Sequence, residues 1–291
     1  MNRLLAENRR GMLKKCLAER PFIRVIETVN GLEALAVRDA EKYSGKTFDA
    51  LWFSGLCCAA FKGKPDNEFV DMSEKKHDIE EIFSVSEKPV IIDMDTGGMT
   101  SHFCRHAADL ERMGVSAVVI EDKTGVKHNS LYGQESFHIM ENADVFAHKI
   151  RQAKQSTASG DFMIFARIES FIAGESLETA LYRADKYISA GADGIVIHSI
   201  RNDGSDAFAF AEMFKKTYPH IPLAFIPTAY SSFTDKELHR KGADIIIYAN
   251  HLMRSAYKAM SFAALTILEN GRADKSICEP VKTILEAIDQ N

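Results

Sequence analysis

Apolar residues along the chain fall in short, β-branched runs that alternate with longer stretches of amphipathic spacing. This alternation predicts repeated strand–helix units around a parallel sheet. The longer stretches have helical spacing, as Phe103, Ala107 and Leu110 illustrate at i, i+4 and i+7. The predicted strands are Phe22–Thr28, Phe48–Ser54, Pro89–Asp95, Ala117–Asp122, Phe162–Ile168, Gly194–His198, Leu223–Pro227 and Asp244–Tyr248.

Three of the predicted helices end in a similar way, with Gly114, Gly191 or Gly242 placed just before an apolar strand. Glycine there predicts a left-handed helix cap. Eight strand–helix units in 291 residues predict a (β/α)₈ TIM barrel, with residues 1–291 forming a single domain. An open doubly wound sheet is the alternative. It is less favoured because the first strand is followed by Asn30-Gly31-Leu32-Glu33 rather than a glycine-rich phosphate motif.

Further helices are predicted at both ends of this barrel. An amphipathic helix is expected within residues 1–20, around Leu4, Leu5, Met12 and Leu13. After the eighth strand, His251–Asn270 and Cys278–Asp289 also have helical patterns. The last helix is apolar and is not needed to complete the barrel, so it is expected to pack on a partner subunit.

Composition narrows the class of protein. The net charge of -5, with acidic and basic residues mixed throughout, argues against nucleic acid or an anionic membrane as a partner. No apolar run reaches the roughly 18 residues of a membrane span, and no signal peptide is visible, so a cytoplasmic location is expected. The five cysteines lack disulfide or zinc spacing and are expected to be reduced, mostly buried thiols.

Acidic residues end two neighbouring predicted strands, where the active site of a barrel lies. Asp93 and Asp95 are two residues apart, so strand alternation predicts that both face the barrel mouth. Glu121 ends the next strand. Three converging carboxylates would repel one another without a cation, and oxygen ligands suit Mg²⁺ or Mn²⁺. The alternative is structural: Asp95 caps a helix and Glu121 pairs with Lys123.

Cationic and polar residues follow on the same rim. Arg167 and His198 end further strands and could bind an anionic group, although a strand-end arginine is often only a salt-bridge partner. The polar segment Thr124–Gly133 could fold over that anion as a lid, or it could be an ordinary surface loop. Residues that could act around such an anion are Lys127, Asn129 and Ser130 in this segment and Ser54-Gly55-Leu56 after the second strand.

At these positions the sequence resembles the phosphoenolpyruvate mutase branch of the isocitrate lyase superfamily, over nearly the whole chain. The motifs that carry the resemblance are WFSGL (52–56), DMDTGG (93–98), EDKTGVKHNSL (121–131), ARIESFIAG (166–174), His198-Ser199, PTAY (227–230) and YANHLMR (248–254).

The resemblance implies an enzyme that interconverts phosphoenolpyruvate and phosphonopyruvate, with Mg²⁺ on Asp93, Asp95 and Glu121. It implies a dissociative transfer with a metaphosphate-like species. Asp66, an ordinary turn residue by pattern, matches an essential aspartate of the family. The catalytic residues implied are Asp66, Lys127, Asn129, Arg167 and His198, and those implied to bind substrate are Trp52, Ser54, Gly55, Leu56, Asp93, Lys123, Ser130, Arg167 and His198.

Other readings remain open. Isocitrate and methylisocitrate lyases carry a Lys-Lys/Arg-Cys-Gly-His loop, where this chain has Glu121-Asp122-Lys123-Thr124. This difference makes a lyase less favoured. Phosphonopyruvate hydrolase usually has threonine at the position of Asn129, so asparagine favours the mutase. A non-catalytic, anion-binding barrel is a remote third reading.

The chain departs from the family pattern at Phe53, at 98–100 and at 125–126. The superfamily also implies a homo-oligomer, dimer or tetramer, with the last barrel helix swapped between subunits.

Overall fold

The computed structural model describes residues 4–125, 127, 129, 130, 138–273 and 277–289. Its strands are β1 Ile23–Glu27, β2 Ala50–Phe53, β3 Val90–Asp93, β4 Ala117–Glu121, β5 Lys123–Thr124, β6 Ile139–Met140, β7 Met163–Ile168, β8 Gly194–Ile197, β9 Leu223–Phe225 and β10 Ile245–Tyr248. Its helices are α1 Ala6–Glu19, α2 Gly31–Ser44, α3 Gly55–Phe61, α4 Met72–Val85, α5 Thr100–Met113, α6 Ala143–Ser156, α7 Leu177–Ser189, α8 Ser205–Thr217, α9 Asp235–Arg240, α10 His251–Asn270 and α11 Val281–Asp289.

Eight parallel strands close into a barrel in the order β1, β2, β3, β4, β7, β8, β9, β10 and back to β1. The predicted TIM barrel is therefore confirmed, and each predicted strand is present. All eight barrel strands are shorter than predicted. The difference matters at β3, which ends at Asp93 rather than at Asp95.

Side chains alternate between two buried layers because successive strand residues point to opposite faces. One layer fills the barrel interior, where Val25, Trp52 and Val119 lie. The other packs between the strands and the surrounding helices, and Phe53 belongs to it. The amino-terminal helix α1 contributes Leu13, which is fully buried against the interior layer. That helix was predicted, although Leu5 is 59% exposed rather than part of its packed face.

The two predicted carboxyl-terminal helices, α10 and α11, are also present. None of the residues of α10 is buried. Apolar side chains on these helices remain exposed, including Tyr257, Met260, Phe262, Leu265, Leu268, Val281 and Leu285. In the described part of the chain, no helix has both the length and the apolar character needed to cross a membrane.

All five cysteines are free, as predicted. The expectation that most are buried is wrong. Only Cys57 and Cys58 are buried, while Cys278 is exposed.

The left-handed helix ends are also confirmed, with φ of +93° at Gly114, +104° at Gly191 and +107° at Gly242. Gly114 has a second constraint, since a β-carbon there would lie 2.8 Å from the Cα of Ala6 in α1. This close approach brings α1 against the end of α5, so that α1 can reach the barrel floor.

We expect Gly114→Ala to destabilise the fold more than Gly45→Ala. Both glycines have positive φ, 93° and 65°, but no described residue places an atom within 4 Å of a β-carbon at Gly45. The left-handed conformation should cost either variant about 1 kcal/mol, and displacement of α1 should add a further 1–3 kcal/mol or so at Gly114. Urea unfolding measures both free energies. Equal losses in the two variants would show that the contact with α1 contributes nothing.

Candidate active site

A cavity of about 60 Å³ lies at the carboxyl-terminal mouth of the barrel. Strand ends, the segment after β5 and the segment before α4 all contribute to its wall, so most of the predicted site residues meet there. The lining residues are Trp52, Ser54, Leu56, Asp66, Asp93, Lys127, Asn129, Ser130, Arg167, His198, Ile226, Thr228, Ala249 and Asn250.

Arg167 is the central cation of the strand-end cluster. Its Nη2 lies 3.2 Å from Glu121 Oε2, its Nη1 lies 3.8 Å from Asp93 Oδ2, and its Nε donates to Glu169 Oε1. Burial alone would lower the pKa of Arg167, but the surrounding carboxylates raise it above its ordinary value. The guanidinium is thus permanently charged and shared among three buried carboxylates.

His198 lies directly beside this arginine. Its Nδ1 is 3.1 Å from Arg167 Nη2 and 2.8 Å from Glu169 Oε1. Burial lowers the pKa of His198, although the negative charge of Glu169 opposes that effect. Burial would raise the pKa of Glu169, yet Arg167 and His198 hold it well below the usual range. Glu169 therefore contacts both groups that were predicted to bind an anion, the charged Arg167 and the imidazole of His198.

Asp93 and Asp95 come together through a turn, so the prediction that strand alternation aligns them is wrong. Asp95 lies beyond β3 and has a left-handed backbone, with φ of +56°. Its N–H donates to Asp93 Oδ1 at 3.1 Å, and its carbonyl oxygen accepts from the N–H of Glu121 at 2.8 Å. Nor does Asp95 cap the next helix, since α5 begins at Thr100 with Met99 at its N-cap.

Two buried lysines contact the carboxylate of Asp95. Lys75 Nζ lies 2.8 Å from Oδ2, and Lys127 Nζ contacts Oδ1. Burial would raise the pKa of Asp95, but these two ammonium groups hold it well below its usual value. The pKa of Asp93 is raised, first by burial and then by the charge of Asp95. Side-chain cations therefore already offset part of this negative charge, so repulsion between the carboxylates does not by itself require a metal ion.

The Glu121 carboxylate forms ion pairs, but its hydrogen-bonding capacity is unused among the described residues. Lys123 Nζ and Arg167 Nη2 each lie 3.2 Å from one of its carboxylate oxygens. Neither oxygen accepts a hydrogen bond from the described residues, and both are buried. Burial raises the pKa of Glu121 to about 7, against the opposing charge of Arg167. Together with Asp93 and Asp95 it offers the all-oxygen donors that suit Mg²⁺ or Mn²⁺.

The carboxylates are not, however, gathered into a finished metal site. Among residues 4–125, 127, 129, 130, 138–273 and 277–289, no group of three or more His, Cys, Asp or Glu side chains is placed to hold a metal ion. Cationic side chains stand between the acids instead. A metal would have to displace or rearrange some of these ion pairs.

The predicted lid segment lies over the cavity in its described part. Lys127 Nζ is 2.6 Å from Asp66 Oδ1, and Asn129 Nδ2 donates to Asp66 Oδ2. Ser130 Oγ accepts from Lys123 at 2.8 Å and donates to Glu169 at 2.7 Å. Asp66 thus contacts both lid residues that the resemblance makes catalytic.

The base of this segment is an antiparallel pair, β5 with β6, where the sequence predicted only a polar loop. The predicted lid residues at 126, 128 and 131–133 lie outside the described residues.

The Ser54-Gly55-Leu56 stretch, of which Ser54 and Leu56 line the cavity, also has a structural role. Ser54 caps α3, since its Oγ accepts from the N–H of Cys57 at 3.2 Å. A β-carbon at Gly55 would lie 2.8 Å from Asp95 Oδ1. The glycine therefore makes room for that carboxylate. Phe53 is fully buried in the layer behind the strands, so it leaves the cavity wall unchanged.

Sequence reasoning did not assign several residues of this site. Glu169 could have been found, because it lies two residues after Arg167 and follows the same strand. No sequence pattern marked Lys75 as a site residue, since it lies in a helix and does not follow a predicted strand. The remaining cavity residues fall within or next to motifs that had been noticed without being given a role: Ile226, Thr228, Ala249 and Asn250.

Comparison with known proteins identifies the family and the shared fold. The phosphoenolpyruvate phosphomutase from Tetrahymena pyriformis is 32% identical over 262 residues, which cover 89% of this chain and 83% of the relative. The crystal structure of the phosphomutase from Streptomyces platensis subsp. rosaceus has a TM-score of 0.88 and 30% identity, with 99% of this chain and 96% of that one covered.

A phosphonopyruvate hydrolase crystallised with oxalate and Mg²⁺ is almost as similar, with a TM-score of 0.85 and 29% identity over 97% of this chain and 95% of that one. The sequence profile of the family described as phosphoenolpyruvate phosphomutase matches residues 13–268. This match covers most of the barrel and every residue of the site described above. The chain belongs to the phosphoenolpyruvate phosphomutase family, within the isocitrate lyase superfamily.

Proposed function

We propose that this protein is a divalent-metal-dependent phosphoenolpyruvate mutase, which moves a phosphoryl group between an oxygen and a carbon of the same molecule. One observation carries the proposal. Asp66 and the lid residues Lys127 and Asn129 line the same cavity as the strand-end residues Asp93 and Arg167. Such a cavity holds cationic groups on two sides of a small anion, as phosphoryl transfer requires.

The phosphoryl group would bind between Arg167, His198 and Asn129. Arg167 offers a planar set of N–H donors that suits phosphoryl oxygens, and Glu169 fixes its orientation. His198 is held by the same glutamate at 2.8 Å. In the forward direction the P–O bond of phosphoenolpyruvate breaks and a P–C bond forms at the enolate carbon. All atoms stay in one molecule, so no second substrate is needed.

The carboxylate and enolate end of the substrate would lie toward Asp93 and the Ser54–Leu56 stretch. Asp93, Asp95 and Glu121 would hold Mg²⁺, and the supporting observation is that neither buried oxygen of Glu121 accepts a hydrogen bond from the described residues. The metal would supply positive charge that stabilises the enolate. The relative crystallised with Mg²⁺ supports this choice of ion, and Mn²⁺ suits the same ligands.

Exclusion of water would separate mutase from hydrolase activity. The described lid residues contact Asp66 across the cavity, and little free space remains beneath them. A phosphoryl group held there is shielded from attack by water. Asn129, in place of the threonine that is usual in the hydrolase, supports the mutase as well.

Phosphonopyruvate hydrolase is the second candidate, and its nearly equal structural similarity favours it. A lyase is less favoured. All five cysteines are described, and none of them lines the mouth cavity, where an isocitrate or methylisocitrate lyase would need its acid–base cysteine.

Phosphorus NMR of the purified protein with phosphonopyruvate and Mg²⁺ tests the reaction directly. We expect a phosphoenolpyruvate signal to grow as phosphonopyruvate disappears, and EDTA should stop the change. Inorganic phosphate with stoichiometric pyruvate, and no phosphoenolpyruvate, would establish the hydrolase instead. Absence of turnover with this substrate and with oxaloacetate-type substrates would revive the non-catalytic barrel.

We expect Asp66→Asn to lower turnover about 100-fold or more while the melting temperature stays near that of the wild type. The substitution weakens the ion pair with Lys127, so the lid residues lose their charged anchor over the cavity. Asp203→Asn is the matched control, because Asp203 is 62% exposed and lies outside the cavity lining. Wild-type turnover in Asp66→Asn would exclude Asp66 from the reaction.

We also propose that the apolar surface of α10 and α11 is covered by a second copy of the chain, in a dimer or tetramer. Leu268 is 83% exposed and Tyr257 71% exposed, which is costly for a free surface. The helix swap implied by the superfamily would cover this surface.

Sedimentation velocity measures this assembly. We expect a wild-type mass of two or four chains and a shift toward smaller species in Leu268→Asp. Met213→Asp places the same charge on a 45% exposed apolar residue of α8, and it should leave the mass unchanged. A monomeric wild-type protein would contradict the proposed assembly.

A further inference from the structure

Lys75 is a lysine whose side chain is almost completely buried. It lies in α4, its side chain is only 5% exposed, and its Nζ is 2.8 Å from Asp95 Oδ2. It does not line the mouth cavity, so it does not reach a substrate there. It lines a small space behind that cavity together with Asp66, Glu68 and Asp95. The hydrogen bond to Asp95 is therefore the most direct connection between Lys75 and the mouth cavity.

Asp95 has little freedom to move. Its left-handed backbone, with φ of +56°, is uncommon for a residue with a side chain. The hydrogen bond to Asp93 Oδ1 and the hydrogen bond from the N–H of Glu121 fix this turn. On one side, the absence of a side chain at Gly55 leaves just enough room for the carboxylate. Asp95 is thus confined between the ammonium groups of Lys75 and Lys127.

The two lysines differ in how firmly they are held. Lys127 belongs to the lid segment, over the substrate cavity. Lys75 belongs to α4, which packs into the outer core through the fully buried Ile79 and Ile82. Asp71 is the N-cap of this helix, and its carboxylate accepts from the N–H groups of Ser73 and Glu74 in the first turn. Lys75 is therefore the counter-ion of Asp95 that stays in place whatever the lid does.

We propose that Lys75 is a positioning residue that holds Asp95 in its turn without metal and weakens the binding of the divalent cation. The inference rests on the proposed metal site at Asp93, Asp95 and Glu121. The ammonium group of Lys75 contacts Oδ2 of Asp95, which is one of the proposed metal ligands. It repels a divalent cation at close range, because burial limits the screening of both charges. The metal should then bind loosely enough to exchange.

The test is the affinity of the substrate-free protein for Mg²⁺, measured by titration calorimetry, and for Mn²⁺, measured by electron paramagnetic resonance. Lys75→Gln removes the charge but keeps a hydrogen-bond donor for Asp95, and Lys75→Met removes both. We expect both variants to bind either ion about tenfold more tightly or better. Lys76→Met is the control, since Lys76 is the next residue of α4 and pairs with Asp109 instead.

A second readout is the melting temperature with EDTA and with Mg²⁺. The wild-type melting temperature should change little between the two conditions, whereas that of Lys75→Gln should fall in EDTA and recover with Mg²⁺. Unchanged or weaker metal affinity in folded Lys75→Gln overturns the role of Lys75 alone. If the wild type binds neither ion, or if Asp93→Asn binds as well as the wild type, the proposed metal site fails and the inference fails with it.

Discussion

The site depends on the mutual neutralisation of buried charges at one end of the barrel. Asp93, Asp95, Glu121 and Glu169 are almost fully shielded from water, where an isolated carboxylate would be very costly. Cations from different parts of the chain stand among them: Lys75, Lys123, Lys127 and Arg167. Removing one partner would leave an unpaired buried charge, which makes the cluster a single unit rather than a set of independent contacts.

This constraint explains how the rest of the mouth is arranged. Arg167 can be shared among several carboxylates because parallel strands bring their carboxyl ends to one rim. The lid reaches that rim because Lys127 pairs with Asp95 and Asp66 at once. A ligand or metal that enters must therefore compete with existing ion pairs. The enzyme for which the family is named acts on phosphoenolpyruvate, a small and highly charged molecule. Such a molecule is suited to competing with ion pairs.

The barrel was predictable from the sequence because the pattern that indicates a strand–helix unit is repeated along the chain. Eight apolar runs and three capping glycines each point to the same strand–helix unit, so an error at one strand end changes nothing in the topology. The strand-end residues Asp93, Glu121, Arg167 and His198 were found for the same reason. Asp95 was found by faulty reasoning, since a left-handed turn and not strand alternation brings it beside Asp93.

What the sequence determined by itself is the eight barrel strands, the rim on which the site lies and the family resemblance, because hydrophobic periodicity and motifs are local properties of the chain. Only the tertiary structure decided the charge balance of the site. Lys75 lies in a helix and Asp66 in a turn, and neither position shows which carboxylate or lysine it will meet. Coulomb interactions depend on distances in space and on burial, and the folded chain alone fixes both.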